Sequence, residues 1–175
     1  MNDDNPPYGW SRAAQAGLTF RRITDSDLPF LKRVYASTRA EELAVTPWSD
    51  AQKAEFLDAQ FQLQHAHYQK YYPEADWLVT MRGAEDIGRL YIERWPTKHR
   101  IIDIAFLPDH RGKGFGEALL RDLMDEAAAC GKDVSIHVEK LNPAMRLYRR
   151  LGFATEEDKG VYDLMRWKRP GQSPE

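Results

Sequence analysis

Ile101-Ile102-Asp103-Ile104-Ala105-Phe106-Leu107-Pro108-Asp109-His110-Arg111-Gly112-Lys113-Gly114-Phe115-Gly116 passes from an apolar run into a loop with three alternate glycines. The run Ile101–Leu107 reads as a strand, broken only by Asp103. Beyond the loop the period changes. Leu119, Leu120, Leu123, Met124, Ala127 and Ala128 share one helical face, and Arg121, Asp122, Asp125 and Glu126 share the other. Gly131 closes that helix. Alternate glycines let a backbone turn tightly and leave its amide N–H groups unobstructed. At the start of a helix such amides, together with the helix dipole, favour an anion, and a diphosphate is the natural guest. Lys113 and Arg111 can add charge-assisted contacts.

A turn whose glycines serve only packing competes with this reading. So does a dinucleotide fingerprint, since Gly112 and Gly114 supply G-x-G. Its third glycine would fall at 117, which is Glu117, and Pro108 to Arg111 separate the strand from the loop. A phosphate loop of the G-K-[ST] kind does not occur.

Upstream, Leu18–Ile23 is short and extended, and Asp27 can cap a helix carrying Leu28, Leu31, Val34 and Tyr35. Ser49 and Gln52 form a capping box for a second helix from about Asp50 to Tyr72, which Pro73 ends. Strand-like runs follow at Trp77–Met81 and Ile87–Glu93. Downstream, Asp133–Val138 is a strand, and Asn142 caps a helix with Pro143 at its first position. Ala144, Leu147, Tyr148 and Leu151 share a face of that helix, and Gly152 closes it. A hairpin of Phe153–Glu157 and Val161–Trp167 completes the pattern. The fold class expected is α/β (α+β): a mixed, mostly antiparallel sheet of about seven strands flanked by four helices.

The 175 residues suit one domain over 18–169, with residues 1–17 as a flexible lead-in and 170–175 as a tail. A formal charge of −2 argues against a nucleic-acid binder. The single Cys130 excludes an intramolecular disulfide and a cysteine zinc site. No run resembles a signal peptide or a membrane span, so a cytoplasmic protein without membrane attachment is expected.

The stretch Ile104–Gly116 resembles the acyl-CoA motif of the GNAT superfamily of N-acetyltransferases: Arg or Gln, two residues, Gly, one residue, then Gly or Ala. Arg111, Gly114 and Gly116 meet it. The stretch Asn142–Phe153 is similar to a second signature of the superfamily, a helix that carries a Tyr and ends in Gly-Phe. What the resemblance implies is a sheet splayed between its fourth and fifth strands. The backbone of Ala105 and Phe106 would pair with the pantetheine amides of acetyl-CoA. Arg111, Gly112, Lys113, Gly114, Phe115 and Gly116 would hold its diphosphate, with Asn142 as a further contact.

The resemblance also implies a proton donor for the leaving thiolate at Tyr148, against a purely core role for that ring. His137 and Asp103 are the candidate bases, each with a structural role as the alternative, and Glu93 and Glu139 remain open. The long second helix carries Phe61, His65, His67, Tyr68, Tyr71 and Tyr72, with Trp48 and Trp95 nearby. They suit either an amine pocket or a packing stripe of Leu57, Phe61 and Tyr68. His65 and His67 point apart on a helix, and no metal is expected. The function implied is transfer of an acetyl group from acetyl-CoA, as cosubstrate, to a primary amine of a small molecule, amino acid or peptide. A non-catalytic acyl-CoA-binding or sensing module is the alternative, and a homodimer is left open.

Overall fold

The computed structural model describes residues 9–171. Its strands are β1 (Leu18–Arg22), β2 (Asp76–Arg82), β3 (Glu85–Arg94), β4 (Lys98–Phe106), β5 (Asp133–Glu139), β6 (Ala154–Asp158) and β7 (Tyr162–Trp167). Its α-helices are α1 (Ser11–Gln15), α2 (Leu28–Ala44), α3 (Asp50–Tyr71), α4 (Phe115–Ala129) and α5 (Met145–Arg150). The strands form one sheet in the order β1-β2-β3-β4-β5-β7-β6. Every neighbouring pair is antiparallel except β4 and β5, which run parallel. The expected mixed sheet therefore forms, but with five flanking α-helices rather than four among the described residues.

The additional helix corrects the reading of residues 1–17 as a flexible lead-in, as far as residues 9–17 are concerned. Trp10 and Ala13 are buried, and the Trp10 ring meets Phe20 edge-on at 4.9 Å. Asp122 of α4 accepts the Ala13 N–H at 2.8 Å and the Arg12 N–H at 3.3 Å, so a distant carboxylate caps the first turn of α1. Five residues are too few to show a helical period, so nothing local marks this helix. The rest of that expectation, like the tail at 172–175, lies outside the described residues.

Elsewhere the local signals act as their chemistry dictates. Ser49 Oγ accepts the Gln52 N–H at 3.2 Å, and Gln52 Oε1 accepts the Ser49 N–H at 2.8 Å. Leu119, Leu120 and Leu123 of α4 are buried against Leu90, Ile101, Val134 and Ile136. Burying each leucine contributes roughly 1.5–3 kcal/mol. The opposite face of the sheet is covered by α2 and α3, where Leu31, Tyr35, Phe61 and Tyr91 form a second core with Leu57 and Tyr68.

An irregularity in β4 interrupts the regular pairing. Tyr91 of β3 faces Asp103, but the next residue, Ile92, faces Ile101, so Ile102 has no opposite number. An inserted residue reverses the alternation of faces after it. Ile101 and Ile104 accordingly pack on the α4 side, while Ile102 and Asp103 both turn toward α3. The ladder between β4 and β5 stops at the same point, pairing Lys98–Ile101 with Asp133–Ile136 and nothing beyond. A bulge bends and twists its strand, whereas β5 stays paired with β7 as far as Glu139. The two strands part, and a gap opens between residues 102–106 and 137–139.

Candidate functional site

The glycine loop stands at the mouth of this gap. After a single 3-10 turn at Pro108–His110, Gly112 and Gly114 take φ of 71° and 82°. Only glycine adopts that region without strain. A Cβ at either position would meet no atom within 4 Å, so backbone conformation rather than space demands glycine here. Gly114 caps α4, and among the described residues no side chain is bonded to the first amides of that helix. They are donors aimed into the loop, reinforced by the helix dipole.

Arg111 behaves differently from the expectation that it adds charge to the loop. Its Nε donates to the Phe106 carbonyl at 2.9 Å and its Nη2 to Ser37 Oγ at 3.0 Å. It ties the loop to the end of β4 and to α2. Lys113 is exposed on the loop. The Phe115 side chain is core, with its ring 6.1 Å from that of Phe106, so its contribution to the loop is its amide. Ala105 and Phe106 lie on the β4 edge that faces the gap. Their approach to β3 depends on Gly88, where a Cβ would stand 2.3 Å from the Ala105 carbonyl oxygen. Sequence reasoning missed Gly88, although a glycine inside a strand is a signal of close backbone approach.

Tyr148 is buried on α5, edge-on to Phe153 at 5.6 Å. Burial pushes its phenol above the ordinary value, and the charge of Asp103 adds to the push. The group holds its proton across the physiological range, and none of the described residues accepts a hydrogen bond from it.

The candidate bases are engaged. Asp103 Oδ2 accepts from Arg89 Nη2 at 2.7 Å and from the Tyr68 hydroxyl at 3.3 Å. Arg89 is fully enclosed, and its other bond from Nη2 goes to Gln64 Oε1 at 3.0 Å. The Asp103 carboxylate thus answers a buried guanidinium. Protonating it would leave that charge unpaired. His137 faces away from Val134, Ile136 and Val138, as its alternation requires, and is exposed. Its Nδ1 stands 3.0 Å from Arg100 Nη1. A guanidinium only donates, so Nδ1 is the acceptor and Nε2 carries the hydrogen. Partial desolvation of the ring, then the charge of Arg100, lowers the imidazole pKa. The ring is neutral at pH 7, but its lone pair is occupied.

Glu93 accepts from the Trp95 indole at 2.8 Å and the Glu74 N–H at 3.2 Å. Glu139 is exposed beside Tyr162, whose phenol is raised by burial and then by the Glu139 charge. Asn142 does not cap α5 with Pro143 as its first residue. The helix starts at Met145, and Asn142 Oδ1 instead accepts the Ala144 N–H at 2.9 Å within the preceding turn. Phe61, Leu57 and Tyr68 form the packing stripe, while Trp48 lies 5.1 Å from Phe56 beside an open groove. Among the described residues no cluster of three or more His, Cys, Asp or Glu could hold a metal ion.

Residues 37–153 match the family model described as Acetyltransferase (GNAT) family. An L-amino acid N-acyltransferase of Escherichia coli K12 is 50% identical over 48 residues, 26% of this chain and 28% of that protein. A mycothiol acetyltransferase of Corynebacterium glutamicum is 30% identical over 104 residues, 58% of this chain and 36% of that protein. The matches thus span about a third of the length of these curated relatives. Among solved structures, the PaiA N-acetyltransferase of Thermoplasma acidophilum in complex with coenzyme A superposes with a TM-score of 0.64. That likeness comes at 17% identity and covers 86% of this chain and 98% of the other. A spermidine N-acetyltransferase of Vibrio cholerae in complex with CoA and spermine gives 0.55 at 21% identity, covering 86% and 94%. The structural likenesses establish the fold, and the family match encloses the bulged strand, the gap and the glycine loop. On that match, the chain belongs to the acetyltransferase (GNAT) family.

Proposed function

We propose that the chain is an acetyl-CoA-dependent N-acetyltransferase acting on a primary amine of a small molecule, amino acid or peptide, in the cytoplasm. The observation that carries this is the gap at the β4 bulge, opening beside unsatisfied amides at the head of α4. An unpaired strand edge can accept an amide-bearing chain as strand addition does. The Ala105–Phe106 edge fits the pantetheine arm, and the amides of 112–116 with Lys113 fit a diphosphate. The similarity to an L-amino acid N-acyltransferase agrees with an amine acceptor.

Acetyl-CoA supplies an activated acyl carbon, so that a C–N bond forms as the C–S bond breaks, giving amide, thiol and one released proton. The chain must then supply two things. A donor near the departing sulfur is Tyr148, whose raised pKa keeps its proton available for a hydrogen bond to developing thiolate charge. A route for the ammonium proton is the other. Asp103 and His137 are both engaged, so Glu139 or solvent is the path that this geometry favours. The same engagement is what favours the second reading, a module that binds acyl-CoA without turnover.

Thermal shift with acetyl-CoA, CoA and NAD tests the cleft. A ligand of the folded state at ~100 times its dissociation constant adds about 2.7 kcal/mol. A rise in melting temperature with acetyl-CoA or CoA and none with NAD is expected. No rise with either acyl carrier would overturn the proposal, and a rise without thiol release across a broad amine panel would favour the binding module.

A further inference from the structure

A buried cation that forms no ion pair among the described residues lies at the closed end of the gap, and the acetyl transfer itself makes no use of its charge. Arg100 is 5% exposed and stands in register with Ser135, one residue before the β4–β5 ladder ends. Its Nε donates to Ser135 Oγ at 2.9 Å and its Nη1 to His137 Nδ1 at 3.0 Å. Its Cζ is 4.7 Å from the centre of the Trp95 ring. Lys98, two residues earlier, places Nζ 5.5 Å from the same ring. These groups alternate with Ile101, Val134 and Ile136, which pack toward α4, so they occupy the opposite face of the sheet.

The carboxylates around them have other partners. Asp103 pairs with Arg89, and Asp133 with Arg166 and Arg169. Glu156 pairs with Arg166, and Glu157 faces Lys159 at 3.7 Å. Glu93 stands opposite Arg100 in the β3–β4 register, but its oxygens accept from the Trp95 indole and the Glu74 amide instead. Among the described residues neither Arg100 nor Lys98 has a carboxylate within ion-pair distance. An unanswered buried charge is costly, and neutral dipoles with one aromatic face offset it only in part. Meanwhile Ser135 and His137 fix the plane of the guanidinium and leave its Nη2 edge uncommitted. The bond that occupies His137 Nδ1 also makes Nε2 a donor. A planar fork with fixed orientation is suited to donating two parallel hydrogen bonds to a carboxylate.

We infer that Arg100, oriented by Ser135 and His137 and assisted by Lys98, anchors a carboxylate on the acceptor, so that the acceptor is an amine also bearing a carboxylate, as an amino acid does. This rests on the acetyltransferase reading. It assigns His137 to positioning Arg100 rather than to proton abstraction.

The test uses amine pairs that differ only by the carboxylate, phenylalanine against 2-phenylethylamine and leucine against 3-methylbutylamine, with acetyl-CoA and thiol release as the assay. Calorimetric binding of each amine to the CoA-loaded protein is a second readout. The wild-type chain is expected to favour the carboxylate member of each pair, and Arg100→Gln to weaken only that member, by about 10- to 100-fold, the range of a charge-assisted hydrogen bond. Lys98→Gln, a milder change on a half-buried side chain, should weaken it less and leave the acetyl-CoA thermal shift intact. It keeps the comparison available if Arg100→Gln does not fold. Equal or better use of the decarboxylated amines, or equal losses for both members in the variants, would overturn the carboxylate anchor while leaving the acetyltransferase reading standing. Absence of both thermal shift and turnover would remove that reading and the anchor with it.

Discussion

Replacing Asp103 by Asn removes the carboxylate that pairs with Arg89, at 2.7 Å, and leaves the volume of the side chain unchanged. Arg89 is 2% exposed, and its remaining side-chain partners are Gln64 Oε1 and the Tyr91 ring, 5.2 Å from Cζ. Breaking a buried pair on one side costs about 3–5 kcal/mol, because the surviving charge is unpaired. Asp103 retains some contact with solvent at the gap, so a loss near the lower end, ~3 kcal/mol, is expected. For a chain of this size each kcal/mol lowers the melting temperature by about 2–4 °C, giving a fall of roughly 6–12 °C. Urea unfolding followed by circular dichroism measures it, with an unchanged slope showing that the folded state is otherwise intact. Removing both members, Asp103→Leu with Arg89→Met, should recover most of the loss, since no buried charge is left. An Asp103→Asn protein that keeps its stability within ~0.5 kcal/mol yet loses turnover would rule out the counter-ion role, because a general base predicts that result and a counter-ion does not.

Three further outcomes concern other sites. Tyr148→Phe should lower kcat by about 100-fold or more while the acetyl-CoA thermal shift is unchanged, and a lost shift would assign the phenol to binding instead. Gly88→Ala places a methyl group 2.3 Å from the Ala105 carbonyl and should both destabilise the fold and abolish acetyl-CoA binding, since β4 must move away from β3. Normal binding by that variant would show that β4 tolerates the shift. Glu126 is pushed up by burial, but His99 Nε2 at 2.6 Å and the hydrogen bonds and charge of Arg94 overcome this and hold its carboxyl at about 2, below the ordinary 4.5. A depressed carboxylate contributes stability that is fully present above the unfolded pKa and is lost as pH falls through the folded one. The stability gap between wild type and Glu126→Gln should therefore be full at pH 6 and shrink between pH 4.5 and about 2, measured by urea unfolding. A gap independent of pH would show that the carboxylate charge contributes nothing.

Local chemistry made much of the fold legible. The change of period from Ile101–Leu107 to Leu119–Ala128, the capping box at Ser49 and Gln52, and the glycines at 112, 114 and 116 each act within a few residues of one another. A strand or helix repeats every two or 3.6 residues, so such signals can be read from a single chain. The loop and the helix it starts therefore stand where the sequence places them, and so does Tyr148 on the apolar face of α5. Helix α1 shows the limit, because what holds it is an aspartate 109 residues away.

The roles of the polar residues in the gap emerge only when distant segments meet. Strict alternation along β4 puts Asp103 with Ile101, and only the register with β3, broken at Ile102, turns it toward Arg89. The chemistry of Asp103 and of His137 then depends on arginines 14 and 37 residues distant along the chain. That a strand, an anion-binding loop and a helix adjoin can be read from the amino acids alone, because local periodicity and backbone freedom dictate it. Which carboxylate is a counter-ion, which imidazole nitrogen carries hydrogen and which cation is left unpaired are set by strand register. Register is a property of the whole sheet, settled only when every strand has buried its apolar face.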